Sequence, residues 1–326
     1  MRKTAELCLI FLIPALLLSG CGGGAAPERA EVPLAPAAEV IEETPVPEEQ
    51  AEEDVSFTPY EAPAFLDAEF HEDLAEGDGN VLLDLSAVSE GYVAVSASSD
   101  ARLKFQVLTD EDTYNYDLPS DGTPAVFPLT CGDGEYRFRI MENIEDSKYA
   151  ELYSASCEVT MEGEFQPFLR PSAYVPYSES SDCVKKAAEL AAEVPDALGV
   201  VGAVFDYVCA NVTYDTEKAA NVQSGYVPDP DETLDSGRGI CFDYAALAAA
   251  MLRSQGIPAK MIFGYVSPDD LYHAWNMFYT EESGWVTVSY EVGGDSWNRL
   301  DLTFSANGAD GTFIGDGGNY ADIYTY

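Results

Sequence analysis

Between Tyr60 and about Gly163 the chain runs in short stretches of alternating or aromatic-rich residues. They are Val81–Leu85, Tyr92–Ser96, Leu103–Leu108, Tyr114–Leu118, Ala125–Leu129, Tyr136–Met141 and Tyr149–Val159. A period of two places alternate side chains on one face, as in a half-buried strand. Turn-forming clusters such as Ser98-Ser99-Asp100, Pro119-Ser120-Asp121-Gly122 and Gly132-Asp133-Gly134 separate the runs. About seven short strands at this spacing predict a β-sandwich of immunoglobulin-like type. His71, in the run FHEDL just before them, reads as a solvated histidine rather than a ligand.

After Gly163 the pattern changes. Phe165 to Tyr177 is a connector rich in proline and aromatic residues. Two helical patterns follow, Asp182–Glu193 and Asp196–Ala210, each with Ser or Asp at its start as an N-cap. The second collects Val200, Val204, Phe205 and Val208 on one face. Val212–Asp215 reads as a short strand or a helix exit, and Lys218–Asp235 as an acidic loop. A third helix is predicted from Cys241 to Arg253 or Ser254, carried by Ala245, Leu247, Ala248, Met251 and Leu252. Gly256 and Pro258 stop it. Lys260–Val266 and LYHAWNMFY, which holds His273 and Trp275, then read as strands. Strands first and mixed elements afterwards predict an α+β chain, divided into an all-β domain at 60–164 and a mixed domain at 165–326.

The first 59 residues belong to neither pattern. Residues 1–20 place Arg2 and Lys3 before an apolar stretch, Leu9 to Leu18, that is too short to span a bilayer. They read as a targeting segment. Residues 21–59 are mostly Ala, Pro and Glu, a composition that buries too little apolar surface to order itself. They read as an extended tether.

Charge narrows the partners. With 16 Lys and Arg against 58 Asp and Glu, the net charge is −42. Nucleic acid is excluded as a partner, because phosphate contacts need a basic face. Docking by charge on an anionic membrane is excluded for the same reason. Cysteines occur at 8, 21, 131, 157, 183, 209 and 241, without a CxxC pair or a Cys/His cluster, so no zinc site is expected. Cys131 with Cys157, and Cys183 with Cys209, are possible pairs that spacing alone leaves open. Asp229, Asp231, Glu232 and Asp235 raise the question of calcium, but their spacing is not that of an EF-hand loop. No metal or cofactor is expected.

The candidate chemistry centres on Cys241. It follows a turn of Gly237, Arg238 and Gly239 and opens a helix, where free amide N–H groups and the helix dipole favour a thiolate. A thiolate nucleophile needs a base, and His273 is the only histidine after His71. Two residues compete to orient its ring: Ser289 in GWVTVSYE and Asp301 in WNRLDLTF. A carboxylate stabilises an imidazolium and a serine hydroxyl does not, so Asp301 is preferred. That choice requires an excursion of the chain between Ser289 and Ser296, for which Gly293-Gly294-Asp295 supplies a turn. Tyr226 and Trp275 are candidates to line the cleft.

The run GICFDYAALAAAMLRSQGIPAKMIFGYV, then HAWN, then W-x-x-x-D-x-T-F, resembles the bacterial transglutaminase-like family over roughly the last third of the chain. Many members carry the acid directly after the Gly-Trp-Val strand, where this chain has Ser289. The resemblance implies a papain/transglutaminase-like catalytic domain, a Cys241–His273–Asp301 triad, and acyl transfer from an amide or peptide bond of a protein or peptide substrate. The alternative is a catalytically silent module that binds a peptide or cell-wall fragment. Leu18-Ser19-Gly20-Cys21 resembles the lipobox of bacterial lipoproteins. That implies acylation of Cys21 and an extracytoplasmic protein tethered to the cell membrane through its N-terminal lipid.

Overall fold

The computed structural model describes residues 57–268, 270–282, 284–287, 290–308 and 317–326. The targeting segment, Cys21, most of the tether and Ser289 lie outside the described residues. Phe57–Tyr326 is a compact unit.

The first half is two four-stranded antiparallel sheets. One takes β1 (Glu76–Gly77), β2 (Val81–Asp84), β3 (Tyr92–Ala97) and β6 (Ala125–Pro128), in the order β1-β2-β3-β6. The other takes β4 (Leu103–Leu108), β5 (Thr113–Leu118), β7 (Gly134–Glu145) and β8 (Lys148–Val159), in the order β5-β4-β7-β8. Every run read as a strand from its alternation forms one. β4 shows why: Leu103, Phe105 and Val107 are buried while Lys104, Gln106 and Leu108 lie between them on the other face. Tyr136, near the start of β7, donates from its hydroxyl to Gly132 O at 2.8 Å. This is the tyrosine corner of immunoglobulin-like sandwiches. His71 is half-buried, its backbone N–H on Asp84 at 2.8 Å and its Nδ1 on the same carboxylate at 3.1 Å. It holds a turn against the sandwich rather than standing free in solvent.

The second half is built around a buried helix. α1 (Asp182–Ala191) and α2 (Ala197–Asn211) pack on α5 (Cys241–Ser254), which also meets α4 (Pro230–Ser236) and the strands β11 (Ala259–Val266) and β12 (Leu271–Thr280). Every α5 residue from Asp243 to Ser254 is buried. A helix surrounded on all sides belongs to a core rather than a surface, and its five alanines let neighbours approach closely. The sheet beside it runs β15-β12-β11-β16, with β15 at Ser296–Leu300 and β16 at Tyr320–Thr325. β13 (Gly284–Thr287) and β14 (Tyr290–Val292) pair with each other as a separate hairpin. The excursion expected at Ser289–Ser296 thus starts earlier, with the Gly284-Trp285-Val286 segment itself as the first arm of the hairpin.

Three short helices were not legible as such. α3 (Thr216–Asn221) and α4 lie in the stretch read as a loop, and α6 (Leu302–Ala306) lies in the WNRLDLTF segment just after β15. The loop acids explain the first error. Asp229 accepts from Asp231 N and Glu232 N to cap α4, and Asp231 accepts from Asp182 N and Cys183 N at the start of α1. Carboxylates at helix N-termini are each worth about 1 kcal/mol, and this is their use here. The five described cysteines, Cys131, Cys157, Cys183, Cys209 and Cys241, are all unpaired.

The expected boundary near Phe165 is crossed by aromatic packing. Tyr114 and Tyr116 of β5 meet Tyr326 edge-on at 5.6 and 5.5 Å, and Tyr116 lies 5.3 Å from Tyr174. The connector also packs on the later sheet, with Phe165 4.4 Å from Tyr279 and Phe168 5.4 Å from Trp297. Buried residues of both halves form one continuous core.

Candidate active site

The turn before Cys241 is set by two glycines. Gly237 ends α4 at φ 61°, a left-handed conformation that costs glycine nothing. A side chain at Gly239 would bring its Cβ within 2.6 Å of the Asp243 Cβ. The close approach has a purpose: Asp243 folds back over the helix start, and its Oδ2 accepts from Ile240 N at 2.8 Å. β10 (Arg238–Gly239) pairs in parallel with β9 (Thr213–Tyr214), which brings Tyr214 beside the same turn.

Asp243 is fully buried, and a buried charge needs partners. Lys218 Nζ lies 2.9 Å from its Oδ2, and the Tyr226 hydroxyl donates to Oδ1 at 2.5 Å. Burial and the bond to this carboxylate push the Tyr226 hydroxyl up to about 12, so it stays protonated and donating. Tyr226 therefore reaches the site as a brace on the helix start, with its ring 6.2 Å from Phe242. Sequence reasoning missed Asp243 and Lys218. An acid at the third position of a helix is a recognisable capping signal, but the lysine is joined to it only in space.

His273 sits in β12, paired with Gly264 of β11. Asn276, three residues further on the same strand and fully buried, donates from Nδ2 to Ala245 O at 2.9 Å and Lys260 O at 3.2 Å. That clamp ties β12 to α5 and sets the depth of His273 against Cys241. On its other side β12 pairs with β15 from Thr280↔Ser296 to Asn276↔Leu300. The next residue after Leu300 is Asp301, which leaves the sheet and caps α6 by accepting from Phe304 N at 2.9 Å.

His273 Nε2 and Asp301 Oδ2 are 2.8 Å apart, both residues buried. The Tyr320 hydroxyl donates to the same Oδ2 at 2.9 Å, and Phe304 stacks on the imidazole at 4.4 Å between centroids. Nε2 is thus committed to the carboxylate, and Nδ1 is the ring nitrogen left over. Burial alone would push the imidazole down. The Asp301 bond and charge, with a smaller contribution from Cys241, outweigh it and hold His273 at about 10. The ring is therefore an imidazolium at neutral pH.

The other cleft candidate, Trp275, lies in the core. Trp275 is 1% exposed, packed against His273 and Tyr320 in a small buried cluster with Ile262 and Val266, so it backs the histidine and does not face a cleft. Trp275 and His273 point to the same face of β12, and the side chains of Tyr320 and Phe304 pack against it there. Tyr214 was missed: its hydroxyl lies within electrostatic range of Cys241 and Asp243, and burial pushes it up to about 12. Only the β9–β10 pairing reveals it. Among the described residues no group of acids, histidines and cysteines is arranged to hold a metal ion.

Residues 185–290 match the model of the Transglutaminase-like superfamily. The uncharacterized protein YebA of Bacillus subtilis is 31% identical over 110 residues, which is 27% of this chain and 14% of that protein. A protein-glutamine gamma-glutamyltransferase of Pseudomonas aeruginosa is 34% identical over 76 residues, 19% of this chain and 11% of that protein. The chain thus spans about a seventh or less of the length of these relatives. Among solved structures, a candidate cysteine protease from Cytophaga hutchinsonii superposes with a TM-score of 0.38 at 17% identity, covering 71% of this chain and 73% of that one. A superposition that loose carries no weight for function.

Proposed function

From a chain that carries a transglutaminase-like domain at residues 185–290, we propose a cysteine acyl-transfer enzyme that cleaves or transfers an amide bond through Cys241, His273 and Asp301. The observation that carries the proposal is the committed Nε2–Asp301 bond, which leaves the other ring nitrogen to a cysteine at the N-terminus of a buried helix. The Cys241 sulfur attacks the carbonyl carbon and forms a tetrahedral intermediate. Its oxyanion meets the Cys241 N–H, and the Tyr214 hydroxyl is the candidate second donor; one such donor is worth about 3 kcal/mol. The C–N bond then breaks as His273 passes its proton to the leaving amine, and a thioester remains on Cys241. Water or a second amine attacks the thioester, giving hydrolysis or transamidation, and His273 takes the proton back.

In a brief pulse of iodoacetamide at pH 7, Cys241 is expected to label at least about tenfold faster than Cys183 or Cys209, as reactive thiols outpace buried structural ones. Mass spectrometry of peptides reads the difference. Burial pushes the Cys183 and Cys209 thiols up, so they serve as internal references. Equal labelling of all three would favour the silent binding module.

The proposal extends to location. Acylation at Cys21 would tether the unit to the outer face of the cell membrane, where protein or wall peptides are the accessible amides. Cys21→Ala is expected to move the protein out of the membrane fraction or leave its first 20 residues uncleaved. A mature wild-type protein without lipid mass would remove the anchor.

A further inference from the structure

Beside the nucleophile lies a pocket of about 260 Å³ that the acyl-transfer mechanism does not use. Phe242, the residue after Cys241, forms its floor together with Phe263, 4.9 Å away and edge-on. Tyr272, the residue before His273, stands on one side, and Tyr174, Tyr324 and Tyr326 complete the wall. Asn115 of β5 joins from the sandwich, so the pocket is closed only because the two halves of the unit meet there. The side-chain Oδ1 of Asn115 accepts from Gln106 Nε2 at 2.6 Å.

We propose that this pocket is the specificity subsite of the enzyme and takes one bulky apolar side chain, aromatic above all, of a peptide substrate flanking the amide at Cys241. The inference rests on the acyl-transfer reading for its catalytic meaning and on the pocket alone for its binding chemistry. Three observations carry it. The volume suits a single side chain, because sites for whole small molecules run from roughly 300 to 1,000 Å³. None of the seven lining side chains carries a charge at neutral pH; burial pushes Tyr174 and Tyr272 up to about 12, and Tyr326 further. A carboxylate would find no cationic side chain there, and a lysine ammonium no anionic one but only ring faces and hydroxyls. Third, Tyr272 is 53% exposed and Tyr324 36%, beside an exposed Tyr265 and Leu271, so an apolar surface stays open at the mouth. Ring edges and faces presented together favour another aromatic ring by offset and edge-on contact.

Calorimetry on the full Cys241→Ala chain tests the proposal with three blocked pentapeptides that differ only at the centre: Ala-Ala-Phe-Ala-Ala, all-alanine, and Ala-Ala-Lys-Ala-Ala. The phenylalanine peptide is expected to bind at least about tenfold tighter than the other two, as a filled apolar pocket discriminates by that order. Replacing Tyr272 and Tyr324 together by alanine in the same background should shrink the preference to about twofold. In parallel, the phenylalanine peptide should protect Tyr272 and Tyr324 from chemical iodination in the unmutated pocket, a readout independent of how the double variant folds. Equal binding of the three peptides, or no protection, overturns the subsite. Rapid iodoacetamide labelling of the wild-type Cys241 with equal peptide binding would leave the nucleophile standing and remove only the pocket. Slow labelling with a clear phenylalanine preference would do the reverse.

Discussion

Asp301→Asn is expected to lower turnover by about four orders of magnitude while leaving the fold in place, the size of loss seen when a triad histidine is held in the wrong tautomer. Asparagine caps a helix as well as aspartate does, so the bond to Phe304 N survives and α6 should persist. What disappears is the negative charge at Nε2. In the wild type that charge outweighs burial and keeps His273 at about 10. Without it burial dominates, and the ring should titrate below its ordinary value near 6.5. The sign for stability follows from the same shift. A histidine raised in the folded state contributes stability that is fully present below about 6.5 and is lost as pH rises towards 10. The chain has only two histidines, so proton NMR resolves both rings. One signal should titrate far above 7 in the wild type and move below 6.5 in the variant. If both wild-type signals titrate near 6.5, the ion pair is not what holds the ring, and Asp301 loses its assigned role.

The second large effect concerns Arg253, which is 2% exposed in the last turn of α5. Burial pulls its guanidinium down to about 10, so it is still charged at neutral pH, and no Asp or Glu side chain among the described residues pairs with it. Three backbone carbonyls satisfy it: Nε donates to Ala259 O at 2.9 Å, Nη1 to Arg170 O at 2.9 Å and Nη2 to Tyr326 O at 3.1 Å. The single side chain thereby ties the connector, the start of β11 and the end of β16 to the central helix. Tyr326 also exchanges two 2.7 Å backbone bonds with Met261, which seats β16 on the sheet and carries Tyr320 towards Asp301. Arg253→Met keeps the volume but takes one donor from each of three buried acceptors; Tyr326 O keeps its bond from Met261 N, and each acceptor left bare costs about 1–3 kcal/mol before relaxation. A net loss of about 3–5 kcal/mol is expected, read as a lower urea midpoint at unchanged slope. Arg253→Lys should recover only part of it, since one ammonium cannot reach acceptors spread around a planar fork. A shift below about 1 kcal/mol would mean that water replaces the lost donors.

Local pattern alone determined much of this protein. Period-two alternation marked the seven main strands of the sandwich, because a strand against a core must bury every second side chain. Capping residues and the glycine–proline stop marked α1, α2 and α5 to within a few residues, and α5 begins at Cys241 as its sequence predicts. That a cysteine at a helix start would look to His273 was also legible, since the stretch holds no other histidine. The packing partners were not. Asp301 stands 28 positions after His273, and their meeting depends on the register of β15 against β12, which only the separate β13–β14 hairpin permits. That Asp229 and Asp231 cap helices was not legible either; it took the position of α1 above α4. Trp275 could face a cleft or a core until β16 and α6 covered it. Lys218, Tyr214 and Tyr320 entered the site through chain crossings that leave no periodic trace. Periodicity records what each residue needs from its own turn or pleat, whereas these contacts are set by which segments the core brings together.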